Sequence, residues 1–241
     1  MKVIATITAI AFIFTFAWGT VFAGTLTVAA FDLSGSVLKD STGNRGKDSP
    51  LNRNFMELQK RINALGKEDE LIVIGFGRKS DVVLLKVKMP RQAGPLKQNL
   101  IATREAAVKK LQENLKARAH TVDNSRTDVI GASFRGSRLM EEQRSGAATK
   151  RFVLYSDMLD NETIGLSIKR LKPGSHKEFL KRAGAAYPDL KGVEIEIYSA
   201  FSDIPEANTV ETEIGIKELK LFWGEYFGRS GGVVKSYKTN Y

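Results

Sequence analysis

The sequence predicts an α/β fold: a Rossmann-like, doubly wound, mostly parallel sheet with one antiparallel edge strand. Three observations lead there. Short apolar runs rich in β-formers alternate with longer segments whose apolar residues recur at helical spacing. Several of the short runs are almost free of charge, which suits strands covered on both faces. Two of them are joined by a tight Gly-Arg-Lys-Ser turn, too short for a crossover, so those two strands run antiparallel.

Taken in order, residues 25–31 (TLTVAAF) form a buried strand, and a polar, basic loop follows over residues 39–50. Residues 51–65 place Phe55, Leu58, Ile62 and Leu65 on one helical face, with Gly66 as the expected stop. Residues 70–76 (ELIVIGF) and 82–87 are the second and third strands. Pro95 is expected to open a long helix running to about Ala119, with Arg104, Lys109, Lys110 and Lys116 on its outer face. A helix over 128–143 precedes a fourth strand over 150–156 (KRFVLYS). A helix over 176–186, a fifth strand over 193–201 and an amphipathic helix over 212–227 complete the alternation, and residues 232–238 can add an edge strand. Phe222, Trp223, Tyr226 and Phe227 recur at helical spacing and read as core packing.

Composition narrows the chemistry. The chain of 241 residues is 42% hydrophobic and contains no cysteine, so one ordinary core forms without disulfides. The absence of cysteine also removes thiolate metal sites and cysteine nucleophiles. The two histidines, His120 and His176, stand far apart in polar contexts at helix ends and read as surface residues. With 37 Lys+Arg against 27 Asp+Glu the net charge is +10, which favours an anionic partner without naming one. No aromatic interleaving accompanies the basic helix face, so specific nucleic-acid binding is not expected. Asn161-Glu162-Thr163 is a glycosylation sequon, of consequence only in a eukaryotic secretory pathway.

The N-terminus has an export pattern. Residues 1–23 combine Lys2, a long uncharged apolar run and small-residue positions at Val21 and Ala23, as in a secretory signal peptide cleaved before Gly24. The competing reading is a retained membrane anchor, because the apolar run is nearly long enough to span a bilayer. Cleavage is favoured by the strand that begins almost at once, leaving no linker. The expectation is a leader over 1–23, a single domain over 24–241, and a periplasmic or secreted location without a transmembrane segment after cleavage.

The first buried strand runs into Asp32-Leu33-Ser34-Gly35-Ser36. In an open α/β sheet, ligands bind at the carboxyl ends of the strands. If the segment stays extended, Asp32, Ser34 and Ser36 share one side, and Gly35 lets the backbone turn. One carboxylate with two hydroxyls is a hard oxygen set suited to Mg²⁺ or a similar cation. Two further features join it: Thr127, just before a helix in Arg126-Thr127-Asp128, and Asp157, at the end of the fourth strand. Taken singly, Thr127 also reads as a helix N-cap and Asp157 as an ordinary loop acid.

Together these residues resemble the three-part motif of a von Willebrand factor A domain carrying a metal-ion-dependent adhesion site. The resemblance extends over the chain beyond residue 23 in order of elements. It implies Ser34, Ser36 and Thr127 as hydroxyl ligands, Asp32 and Asp157 as direct or water-bridged ligands, and Mg²⁺, or alternatively Mn²⁺ or Ca²⁺, as the ion. Mg²⁺ prefers six oxygens, so if the aspartates sit partly behind water at least one position at that edge is open, and an Asp or Glu carboxylate of a protein partner is expected to fill it. The basic insertion near residues 39–50 and the C-terminal tail depart from the family pattern, so partner specificity is not inherited. An aspartyl-phosphate enzyme would want a second Asp at Ser34, and a serine hydrolase would want Gly-x-Ser-x-Gly with a histidine base. The sequence therefore points to a non-enzymatic binding module, with a polyanion-binding basic protein as the alternative and a metal-assisted hydrolase third.

Overall fold

A computed structural model describes residues 24–38, 49–78, 80–91, 98–118, 121–143, 146–199 and 210–239. The proposed leader, the insertion over 39–48, Pro95, Ala119, His120 and Phe201 lie outside the described residues. In chain order the elements are β1 (Thr25–Asp32), α1 (Gly35–Leu38), α2 (Pro50–Ala64), β2 (Glu70–Gly77), β3 (Ser80–Lys88) and α3 (Gln98–Arg118). They continue with α4 (Val129–Glu142), β4 (Thr149–Tyr155), a 3-10 turn (Ile168–Arg170), α5 (His176–Ala183), β5 (Val193–Ser199), α6 (Val210–Arg229) and β6 (Val233–Thr239).

The six strands form one sheet in the order β3-β2-β1-β4-β5-β6. Every neighbouring pair is parallel except β2 with β3, the antiparallel edge that the short turn predicts. The two most apolar strands sit where that composition belongs: β1 is central, and β2 is buried along its whole length. The C-terminal residues pair with β5 as the opposite edge strand.

Two apolar layers flank the sheet. On one side α2 and α3 pack Leu58, Ile62 and Leu111 against Phe31, Val73 and Val153. On the other, α4, α5 and α6 pack Val129, Phe179 and the aromatic row Phe222, Trp223, Tyr226 and Phe227 against Leu26, Phe152 and Ile195. All four aromatics are fully buried and touch one another in stacked and edge-on pairs. Among the described residues no helix is long and apolar enough to cross a membrane.

Several local expectations need correction. The segment after β1 does not stay extended through Ser36, because α1 begins at Gly35. Gly35 is not sterically required either: an added Cβ would sit 3.5 Å from the Asn124 carbonyl oxygen, an ordinary contact. Gly66 does not end α2 by a left-handed turn; Leu65 caps the helix at φ −56° and ψ 128°, its amide donating to the Ile62 carbonyl, and the Gly66 amide donates to Asp69 Oδ2 at 2.6 Å. Helix α5 stops at Ala183, three residues early. His176 is not a solvated surface residue, since its Nδ1 lies 2.7 Å from Oε2 of the buried Glu218, tying α5 to α6. On α3, Arg104 reaches back to the Leu65 carbonyl. Lower on the same helix, Asn114 Nδ2 and Arg118 Nη1 donate to the β3 carbonyls of Leu84 and Val83 at 2.6 and 3.0 Å.

The end of β2 presses on the loop that leads to α4. The Arg78 amide donates to the Asp123 carbonyl at 2.8 Å, and a Cβ on Gly77 would fall 2.3 Å from that same oxygen. A backbone atom cannot give way as a side-chain tip does. Gly77→Ala is therefore expected to lower the unfolding free energy by about 1–3 kcal/mol, the range for overpacking, read from the urea unfolding midpoint; an unchanged midpoint would refute this packing constraint.

Candidate metal centre

Three segments meet at the carboxyl edge of the sheet. The first is the end of β1, where Asp32 is fully buried and Ser34 is 2% exposed. The second is the loop before α4, which carries Thr127, and the third is the stretch that leaves β4 through Ser156 and Asp157. β1 and β4 are paired in register up to Phe31 and Tyr155, so Asp32 and Ser156 stand side by side.

Hydrogen bonds lock the three segments together. Ser156 Oγ donates to Asp32 Oδ2 at 2.6 Å, and the Ser34 amide donates to Asp32 Oδ1 at 2.8 Å. The Gly35 amide donates to the Asn124 carbonyl at 2.8 Å, fastening the β1 loop to the Thr127 loop. The Thr127 amide donates to Asn161 Oδ1 at 2.8 Å, and the Thr127 carbonyl accepts from the amides of Asn161 and Glu162. Asp32, Ser34, Thr127 and Asp157 are thus brought to one edge and buried. Ser36 sits in the single turn of α1, with its side chain outside the described part of the structure.

The commonplace roles for two of these residues do not hold. Asp128, not Thr127, is the N-cap of α4, its Oδ1 accepting the Gly131 amide at 2.8 Å. Asp157 is 4% exposed rather than a solvated loop acid, and its Oδ1 accepts the Leu159 amide at 2.9 Å.

The electrostatics are those of two acids confined together. Burial, and then repulsion from Asp157, push the Asp32 carboxyl up to about 7, against the pull of the donors Ser156 and Ser34. The partners of Asp32 are one amide and neutral hydroxyls. A small hard cation suits such a set, because buried carboxylates want compensating charge and hydroxyl oxygens are ligands for Mg²⁺-like ions. Among the described residues no group of three or more His, Cys, Asp or Glu could hold a metal ion, so an ion here would depend on Ser34, Thr127 and the other hydroxyls as much as on the acids.

Residues that the sequence reading passed over complete the edge. Asp160 is fully buried and accepts the amides of Ile130 at 2.9 Å, Thr163 at 2.9 Å and Ile164 at 3.2 Å, joining α4 to the loop after β4. Asn161 clamps Thr127. Met158 adopts a left-handed φ of 63°, and the indole Nε1 of Trp223 donates to its carbonyl at 2.9 Å. The largest side chain of the core thereby props the backbone next to Asp157. The Asp and Asn spacing in Tyr155-Ser156-Asp157-Met158-Leu159-Asp160-Asn161 is the one signal that marks this loop as rich in side-chain to backbone bonds.

Trp223→Phe keeps an aromatic ring but removes the N–H, leaving the Met158 carbonyl without its donor. A loss of about 1–3 kcal/mol is expected for a buried group left unpaired, measured by chemical unfolding; a variant as stable as the parent would show that this bond is replaceable.

Asp160 gives a pH signature. Burial, with a smaller push from Asp128, raises its carboxyl to about 6 despite the three amides, compared with 3.8 for the free side chain. Between these values the folded state holds a proton that the unfolded state has lost, so the stability it contributes is fully present below pH 4 and is lost as pH rises through 6. Asp160→Asn destabilises at low pH by disturbing the amide bonds, and that cost should shrink by about 2 kcal/mol between pH 4 and pH 7 at roughly 1.4 kcal/mol per pKa unit. Paired urea unfolding curves at the two pH values measure it, and a pH-independent difference would contradict the raised carboxyl.

No family model matches the chain, and no curated protein matches it in sequence. Similar solved structures include the conserved hypothetical protein BatB from Bacteroides thetaiotaomicron, with 13% identity over 89% of this chain and 92% of that one and a TM-score of 0.48. A von Willebrand factor type A protein from Catenulispora acidiphila has 13% identity over 90% of this chain and 39% of that one, with a TM-score of 0.50. The minor pilin PilB from Streptococcus sanguinis has 12% identity over 90% of this chain and 57% of that one, with a TM-score of 0.48. Likeness at this level of identity shows the fold alone: a six-stranded, mostly parallel sheet with one antiparallel edge, as in the von Willebrand factor type A domain.

Proposed function

We propose that the chain is an exported protein-binding module that holds one divalent cation, Mg²⁺ in the simplest case, on Asp32, Ser34, Ser36, Thr127 and Asp157. Through that ion it captures an Asp or Glu carboxylate of a partner protein, without chemical turnover. The observation that carries this reading is the convergence of two buried carboxylates and two buried hydroxyl residues, from three separate segments, at the loop edge of the sheet. A bound divalent ion supplies a Lewis-acidic position that an incoming carboxylate can occupy.

The protein's own groups set the terms of that capture. Ser156 and the Ser34 amide fix the Asp32 carboxylate so that it does not swing toward solvent. Ser34 and Thr127 bring oxygen without formal charge, so the site keeps its attraction for an anion. The excess of basic residues draws an acidic partner at long range, an effect that salt screens. Export rests on the pattern of residues 1–23. The same basic excess favours a second reading, a polyanion binder to which the metal is incidental.

Calorimetric titration with Mg²⁺ and Mn²⁺ tests the first reading. Saturable binding is expected, with an upward shift in unfolding stability of about 2.7 kcal/mol when the ion reaches a hundred times its dissociation constant. Thr127→Ala and Asp157→Ala should each weaken the ion about tenfold or more, in line with losses seen on altering metal sites. Absence of binding in the parent protein, or unchanged affinity in both variants, would overturn the assignment. Partner capture that ignores EDTA but collapses in raised salt would favour the polyanion reading.

A further inference from the structure

Beside Thr127 lies an open cleft of about 480 Å³ lined by Ser125, Arg126, Asn161, Gly165, Ser167 and Arg170. We propose that this cleft binds a second carboxylate of the same acidic protein segment, so that the partner is recognised by a pair of acidic side chains and not by one. The inference rests on the metal-dependent reading above and names the partner's chemistry.

The lining is a set of donors. It contains two guanidinium groups, two hydroxyls and a carboxamide, and no carboxylate. Arg170 is exposed, and its Nη1 donates to the Gly165 carbonyl at 3.3 Å. A guanidinium carries five N–H donors, so most of its capacity is left for a ligand. Among the described residues no acidic side chain pairs with it. Gly165 keeps this wall low: its φ is +65°, and a Cβ there would lie 3.1 Å from Arg170 Nη1. Ser167 precedes the 3-10 turn, and its side chain makes no cap bond. Arg126 is about half exposed, with its Nη1 3.4 Å from Glu162 Oε2.

The lining of the cleft is cationic. Glu162, with its side chain 4% exposed, is shared between Arg126 and Arg78, the latter at 3.2 Å, and Arg78 also faces Asp123 at 4.0 Å. Of the two guanidiniums that line the cleft, Arg126 thus shares Glu162 with Arg78, and Arg170 is held by the Gly165 carbonyl. A guanidinium suits a carboxylate, which accepts two parallel N–H bonds from its fork.

The cleft adjoins the candidate metal centre through two of its lining residues. Arg126 immediately precedes Thr127, and Asn161 both lines the cleft and accepts the Thr127 amide. A short segment with two acidic residues can therefore address both. The second contact then becomes intramolecular once the first has formed, which raises affinity only when the spacing is right.

Anisotropy titrations of the full chain test this, using blocked peptides that carry two aspartates separated by one to four glycines and control peptides that carry one. In MgCl₂ the best-spaced pair should bind about tenfold more tightly than the single-aspartate peptide. Arg170→Gln should remove that gain while leaving single-aspartate binding unchanged, and Arg126→Gln should also reduce the gain. A gain that is absent at every spacing, or that survives both substitutions, would overturn the proposal. EDTA separates the two inferences: single-aspartate binding that ignores EDTA defeats the metal reading, whereas an arginine-dependent gain is a statement about the cleft alone.

Discussion

The loop edge depends on one topological constraint, that β1 and β4 lie side by side and parallel while the chain leaves them toward opposite faces of the sheet. After β1 it moves to the α2 side, and after β4 it goes on to α5 on the other. Two connections that diverge from neighbouring strands open a crevice between them. Asp32 and Ser156 stand at its floor, so the hydrogen bond between them is both a strand-end tie and the base of the candidate centre. The third wall, the loop before α4, is held by the end of β2 through Arg78 and by Asn161 through Thr127.

This arrangement keeps acidic groups where the surrounding medium penalises their charge. Asp32 and Asp160 are both fully buried, yet they are satisfied differently. Asp160 accepts three amides and acts as a structural rivet between α4 and the β4 loop. Asp32 meets one amide and neutral hydroxyls and is repelled by Asp157, which leaves it the less compensated of the two. Two acids a short way apart along one edge thus have separate roles, set by how many donors reach each.

The sheet was legible in the sequence because its central strands must be apolar on both faces, and β1 and β2 show that composition directly. The antiparallel edge was legible because a turn of a few residues admits no crossover. For Asp32, Ser34, Thr127 and Asp157, position at a strand end or before a helix was enough to bring them to one edge. What stayed hidden depends on partners remote in sequence. Asp160 gains its role from Ile130, thirty residues away, and His176 gains its partner from Glu218, forty-two residues away. The turn at α1 was missed because alternation along a strand says nothing of where the strand ends. Near Gly35 the backbone is drawn to Asn124 by a bond that local pattern does not contain.

The contact of α3 with β3 has a consequence for assembly. Sheet edges invite strands from other molecules, since they present unpaired backbone groups at regular intervals. At β3 the ladder is interrupted by an irregularity beside Val73 and Ile74 of β2, and the carbonyls of Val83 and Leu84 are already engaged by Arg118 and Asn114. A foreign strand arriving there meets an irregular, partly occupied template. This border is thereby a poor template for the addition of a foreign strand.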